Sequence, residues 1–476
     1  MALSSASWSA LFHGRRLVYT LLLTLSIGIH AVGIHMLATV LPSIVADLGG
    51  AAFYAWATLL YTIASIIGTV CGGLVTARLE LRRGYLVGAL VLLGGSVGCA
   101  MAPHIAVLLL ARTLQGLGSG LLVAIAYSMI SELYADALRA RVLSAISGIW
   151  GVAALLGPMV GGIFAASGWW RGAFWITTPV LLPLSILAWY TLPPGDIQRA
   201  WGPVPWLRLA LLGTGVLGVA ASGQVASLVL RLALVGSAVI LVGWAFYRDA
   251  CATNRLFPSQ PLSLNTAVGT ASWIFLLFGI TTSLATVFLP LIVHVRYGVS
   301  LLEAGYVTAL LSIAWTCTAL YSASLLDRWI RVAVVLGPLV MVSGGVGLAA
   351  SIAHGPLPLL GLFVSLMGAG IGVCFAHISS WSITAARPGE SMLTASSIPT
   401  IQSLGIAFGA ALAGVVANTA GLATDISLAT LTTAATWVYR LGIIAPVVLA
   451  VLAWRLVRLQ QRLPRGTGIQ NVQAEY

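Results

Sequence analysis

The sequence predicts an all-α polytopic membrane protein, built as two pseudo-symmetric six-helix bundles with two extra central helices, about 14 transmembrane helices in total. Three observations predict it. The chain is 59% hydrophobic and only 7% charged, where a soluble domain carries roughly a quarter charged residues. The few charges are arginines sorted strongly to one side of the apolar runs. The pattern of the first half returns in the second.

Runs long enough to cross a ~30 Å hydrocarbon core fall at roughly 17–42, 53–76, 85–102, 105–130, 142–166, 172–191, 207–225, 232–247, 266–293, 301–325, 332–353, 357–380, 393–418 and 432–457. The first run follows Arg15 and Arg16 but is too long for a signal-peptide core and lacks a small-residue cleavage site, so it reads as a membrane helix kept in the mature protein.

With a cytoplasmic N-terminus, the alternate loops and the tails hold eighteen arginines, the opposite loops hold Arg171, Arg231 and Arg296, and Arg112 and Arg440 lie inside apolar runs, which accounts for all 23 basic residues. That bias predicts a bacterial inner-membrane protein with both termini cytoplasmic. The formal net charge of +12 does not signal nucleic acid, because no basic tract or basic amphipathic helix is present. The five cysteines are far apart and form no CxxC pair, so neither a disulfide framework nor a zinc site is expected.

The repeat is carried by four matches. "VLPSI" with Pro42 returns as "FLPLI" with Pro290; Gly73-xxx-Ala77-Arg78 as Ala323-xxx-Asp327-Arg328; "QGLGSG" from Gln115 as "MGAGIG" from Met367; and "GPMVGG" from Gly157 as "GAALAG" from Gly409. The offsets stay between 248 and 252. Glycine pairs are common in membrane helices, but four matches in order are not. The expected division is 1–195 as the first six-helix bundle, 196–262 as a two-helix insert with linkers, and 263–476 as the second bundle.

On these motifs the sequence resembles the major facilitator superfamily, particularly its fourteen-helix branch of drug:proton antiporters. The segment 72–84, "GGLVTARLELRRG", is similar to the family's Gly-x-x-x-Asp-Arg-x-Gly-Arg-Arg loop, and reads Gly73, Ala77, Arg78, Glu80, Leu81, Arg82. The family's aspartate and second glycine are both missing. "ARTLQGLGSG" resembles the helix-four signature, "AALLGPMVGG" the helix-five antiporter signature with Ala153 replacing an earlier glycine, and "GWWRGAFW" the segment that opens helix six. The resemblance implies a secondary transporter working by alternating access about a midplane site. It also implies a conformational latch at Gly73, Arg78, Arg82, Asp327, Arg328 and Arg331, with the acid kept only in the second half. Plain topogenic charge remains an equal reading for Arg82.

Arg112 is costly within an apolar run unless it faces a wet cavity or a partner. Gln115, one turn on, shares its face. Both are expected in the substrate cavity. Pro158 beside Gly157 bends the fifth run, and Gly161 and Gly162 allow close helix contact, a gating role. Every Asp and Glu falls in a loop or near a helix end. The position where related antiporters often hold an aspartate is Gly33, with His35 two residues on, so His35 is a candidate for substrate or proton, as is His377. His30 and His35 point about 140° apart on a helix and make a poor metal pair. Trp273 is a candidate to stack on an aromatic substrate, against core packing.

No GxxxxGK[ST] occurs and the chain has no lysine, so ATP is not expected to drive it. No acid, base or metal cluster suggests an enzyme, and no cofactor is expected. The expected partners are a small organic molecule, amphipathic or aromatic, protons where transport is coupled, and the lipid bilayer, with the chain acting as a monomer. Export is slightly favoured by the helix-five signature. Uptake of an organic nutrient, such as a vitamin of the riboflavin type, is the alternative.

Overall fold

The computed structural model describes residues 8–49, 54–194, 204–222, 225, 227–422 and 427–462. Backbone polar groups have no water to bond in hydrocarbon, so apolar runs must satisfy them internally as helices. No strand occurs among the described residues. The helices are α1 (Arg15–Leu48), α2 (Tyr54–Ala100), α3 (Ile105–Leu133), α4 (Asp136–Ala166), α5 (Gly172–Trp175), α6 (Thr177–Thr191), α7 (Trp206–Ser222), α8 (Leu228–Ala250), α9 (Ala267–Thr286), α10 (Leu289–Tyr297), α11 (Leu301–Ser322), α12 (Asp327–Ser351), α13 (Leu357–Thr384), α14 (Ser391–Thr419), α15 (Leu428–Gly442) and α16 (Ile444–Arg462).

Among the described residues, thirteen segments are long and apolar enough to span a membrane. The predicted run at 207–225 is the 17-residue α7, just at the short end of what spans, and it completes the expected fourteen. α7 and α8 pack on each other as a hairpin.

The arginine-bearing segment between the second and third spans differs from expectation. It is not a loop. Helix continues on both sides, and only Glu80 leaves helical geometry, at φ 63°, ψ 167°. The chain turns there so sharply that Gly84 comes back against Val75 and Thr76.

The sequence repeat has a packing counterpart. A methyl group on Gly116, Gly118 or Gly120 of α3 would strike the backbone of Tyr61, Leu92 or Ser65 in α2. In the second half Gly368 and Gly372 of α13 press against the backbone of Leu311 and Trp315 in α11, and Gly370 against Gly337 in α12. Small residues let backbones approach where lipid supplies no hydrophobic drive between helices.

The halves meet mainly at the arginine-rich end and midway through. Trp8 Nε1 donates to Ser324 Oγ at 3.2 Å, Arg139 to Thr384 Oγ1 at 3.5 Å, and Gly73 lies against Ser396 and Leu393. Midway, Thr316 Oγ1 of α11 donates to the Ser147 carbonyl of α4 at 2.7 Å, in the space left by Gly151. Beyond this point no hydrogen bond joins α4 to α11 among the described residues. Leu155 and Met159, one and two turns past Gly151, are 44% and 49% exposed, and Gly305, on the Thr316 face of α11, has open space before it.

The α7–α8 hairpin touches both halves, but unequally. Gly213 of α7 meets Ile67 of α2 through apolar contact. Towards the second half Val219 and Ala238 pack against Ala411 of α14, and Arg231 adds a polar tie, donating to the Gly414 carbonyl at 2.7 Å. In the segment leading to α9, Arg255 lies 3.8 Å from Glu390, and the Ser259 N–H donates to Glu390 at 2.9 Å.

Candidate functional site

A polar cluster sits inside the first half, assembled by α1, both parts of α2, α3 and α4. Arg112 is only 1% exposed. Its Nη1 donates to Gln115 Oε1 at 2.5 Å and its Nε to the Ala57 carbonyl at 3.2 Å. The guanidinium carbon lies 4.2 Å from the centre of the Tyr61 ring, a cation–π contact that strengthens when desolvated. Gln115 in turn donates to Ser96 Oγ at 3.0 Å. The burial cost of the arginine is thus offset by two hydrogen bonds and the Tyr61 ring rather than by a carboxylate.

Tyr61 links this group to His30. The His30 Nδ1 lies 3.0 Å from the Tyr61 hydroxyl and 2.5 Å from Ser119 Oγ, and the two hydroxyls are 2.8 Å apart. Each hydroxyl donates or accepts as needed, so this triangle satisfies the ring nitrogen with or without its proton. Trp150 of α4 packs edge-on against His30 at 5.8 Å. Sequence reasoning weighed His30 only as a metal partner and passed over Tyr61 and Ser119. The available signal was an ionisable residue inside an apolar run.

His35 is half-buried and has no hydrogen-bond partner among the described residues. It is pressed against α4, where a methyl group on Gly157 would strike it. Gly161 likewise makes room for Thr39 and Met36, whereas Gly162 has open space around it. Pro158 lies inside α4, which continues through it.

Two expected cavity residues lie elsewhere. His377 is buried in the second half, its Nε2 3.0 Å from the Ser322 carbonyl near the arginine-rich end. Trp273 donates its indole N–H to the Leu262 carbonyl at 2.9 Å, near the same end. Neither is brought to the Arg112 cluster.

Of the latch residues, Gly73 abuts the opposite half as described. Arg82 stacks its guanidinium 3.7 Å from the Trp189 ring of α6, and Arg83 pairs with Glu80 at 3.3 Å. Arg78 is half-buried and Arg331 exposed, while Arg328 lies over Trp329 at 5.8 Å. The side chains of Ala77 and Asp327 lie outside the described residues.

At the opposite, arginine-poor end, Asp47 accepts from Arg171 at 2.6 Å and from Trp170 Nε1 at 3.0 Å. Arg171 also donates to the Ala102 carbonyl at 3.1 Å. These hydrogen bonds, Arg171's first, hold the Asp47 carboxyl below its ordinary value.

Comparison with known proteins agrees with the architecture. The Major Facilitator Superfamily model matches residues 23–410. A probable multidrug-efflux transporter of Mycobacterium tuberculosis is 32% identical over 440 residues, covering 88% of this chain and 91% of that protein. The multidrug transporter protein MdtP of Bacillus subtilis is 25% identical over 400 residues, covering 80% of this chain and 72% of that protein. The crystal structure of the human organic anion transporter MFSD10 (TETRAN) superposes with a TM-score of 0.68 at 16% identity, covering 93% of this chain and all of that one. At that identity the likeness is one of fold.

Proposed function

This chain belongs to the Major Facilitator Superfamily, and we propose that it exports small amphipathic or aromatic organic molecules by alternating access. The reading rests on the seam between α4 and α11, which we take to open into a crevice past its midpoint. It is shut midway by the Thr316–Ser147 hydrogen bond and walled beyond it by the apolar Leu155 and Met159. Such a wall suits a ligand with an apolar body. Export rather than import is supported by the relatives named as multidrug-efflux proteins.

The positive-inside bias supports an orientation with the arginine-rich end in the cytoplasm of a bacterial inner membrane, in which the crevice would face outward. Rocking one half against the other would break the cytoplasmic contacts of Gly73, Arg139 and Trp8 and close the outer end. Among the described residues the hairpin's hydrogen bond to either half, from Arg231, runs to α14, where Val219 and Ala238 also pack on Ala411, so the hairpin moves with residues 263–476 and slides along α2. Arg112 and Gln115 serve the cavity by positioning Tyr61 and the His30 triangle. Proton coupling is carried by histidine, with His30 the better partnered candidate and His35 the nearer to Gly157.

The test is ethidium accumulation in cells expressing the chain, repeated in proteoliposomes with an imposed pH gradient. Lower cellular accumulation and gradient-driven movement are expected. Higher accumulation than in control cells would overturn the direction and favour import.

A further inference from the structure

A cavity of about 570 Å³ lies at the arginine-rich end of the α7–α8 hairpin, between the first turn of α7 and the last turn of α8, lined by Trp206, Leu207, Arg208, Tyr247, Arg248 and Cys251 among others. Its volume is in the ~300–1,000 Å³ range of small-molecule sites, more than a bare inorganic anion fills. Its charge is defined. Arg208 is buried and paired with Asp249, and it also donates to Asn254 at 2.6 Å. Asp249 is fixed further by the N–H groups of Leu256 and Phe257, at 2.8 and 3.0 Å. That pair is neutral overall and rigid. Arg248 is exposed and has no partner among the described residues, so among those residues the cavity carries one surplus positive charge.

The surroundings are those of an amphiphile. Trp206 and Tyr247 stand at the rim, 73% and 67% exposed, each with an apolar body and a polar tip suited to the membrane boundary. From Tyr247 an apolar lane runs along α8 towards the bilayer centre through Trp244 and Ile240, 47% and 70% exposed; their spacing of three and four residues keeps them on one face. A basic residue in a last helical turn offsets the helix dipole, but that role needs neither a cavity nor a lane below it. The lane makes the cavity continuous with the hydrocarbon, a continuity that a lipid uses and a soluble anion does not.

We propose that this cavity binds the phosphodiester headgroup of an anionic phospholipid from the leaflet at the arginine-rich end, with the acyl chains lying along Trp244 and Ile240. Arg248 supplies the charge, and Trp206 and Tyr247 supply hydrogen-bond donors. The Arg208–Asp249 pair holds the two helix ends at the right separation.

Native mass spectrometry of the purified full-length chain tests this with phosphatidylglycerol, phosphatidylcholine and inorganic phosphate as probes. One tight phosphatidylglycerol adduct is expected, weakened at least about five-fold by Arg248→Gln, the equivalent of ~1 kcal/mol for one arginine near an anionic headgroup. Arg458→Gln, at the same end but outside the cavity, should leave it intact. Phosphatidylglycerol should also slow maleimide modification of the exposed Cys251 in a Cys317→Ser background. Equal binding of phosphatidylcholine, an unchanged adduct in Arg248→Gln, or equal protection of Cys251 by inorganic phosphate would each overturn the proposal. None of these readouts depends on what the protein transports.

Discussion

Glu80 pairs with Arg83 at 3.3 Å from a backbone held at φ 63°, ψ 167°. This region is comfortable for glycine and strained by roughly 1–3 kcal/mol for other residues. Glu80 occupies the place of the second glycine in the loop signature that the sequence resembles. Its ion pair offsets part of that strain, limited by Arg83, which is largely exposed although the Glu80 side chain is mostly buried. Glu80→Gly is therefore expected to stabilise the protein by about 1 kcal/mol, read as a higher melting temperature in detergent. A lower one would show that the carboxylate matters more than the backbone.

Gly161 and Gly162 are adjacent but should respond oppositely to alanine. A methyl at Gly161 meets Thr39 and the Met36 carbonyl, whereas at Gly162 it meets nothing within 4 Å. Gly162→Ala should raise stability by about 0.4–1 kcal/mol, through lost freedom of the unfolded chain. Gly161→Ala should push α1 and α4 apart and lower the yield of folded protein. Thermal melts of the two variants side by side decide it.

Arg112→Ala should keep expression near normal and reduce ethidium export at least about ten-fold, or ~1.4 kcal/mol. Arg112→Lys should not rescue export, because an ammonium cannot reproduce both the flat contact with Tyr61 and the Nε–H bond to Ala57. Parallel loss of folded protein in both variants would mark Arg112 as a purely structural charge.

His30→Asn should abolish export driven by a pH gradient while leaving ethidium exchange at equal pH in place. The amide is still able to bond Ser119 or Tyr61 but does not titrate near neutrality. His35→Asn makes the comparison, since that ring has no hydrogen-bond partner among the described residues. Gradient-driven export that survives His30→Asn and is lost in His35→Asn would move the coupling site five residues along α1.

The Asp47–Arg171 tie should show an acid dependence of known sign. The folded-state carboxyl titrates below its unfolded value, about 3.9 for a free aspartate. The stabilisation is therefore complete above that value and disappears as pH falls through the lower, folded one. The melting-temperature gap between wild type and Asp47→Asn should be constant from pH 7 to about 5 and shrink below pH 4. A gap that widens on acidification would contradict the assignment.

Hydropathy alone located the helices, because a bilayer admits almost nothing else for a long apolar run. It misjudged the 72–84 segment, where charge and polarity suggested a loop. The backbone there needs only one residue out of helical geometry, and hydropathy carries no information about a single φ angle. Arg112 and Gln115 were legible as neighbours because i, i+3 spacing fixes them on one face. Trp273 and His377 were singled out by residue type, which does not say which half or which depth a side chain reaches.

The sequence by itself determined that the chain crosses a membrane, that its arginines gather at one end, and that its halves repeat. Each follows from local composition or from spacing along one helix. Only the tertiary structure decided that His30, Tyr61 and Ser119 share a hydrogen-bonded triangle, that Gly157 rather than Gly162 faces α1, and that Thr316 bonds the Ser147 carbonyl across the two halves. Those facts depend on how helices far apart in sequence rotate and tilt against one another. That is set by side-chain packing and close backbone contact between helices, which no single segment encodes.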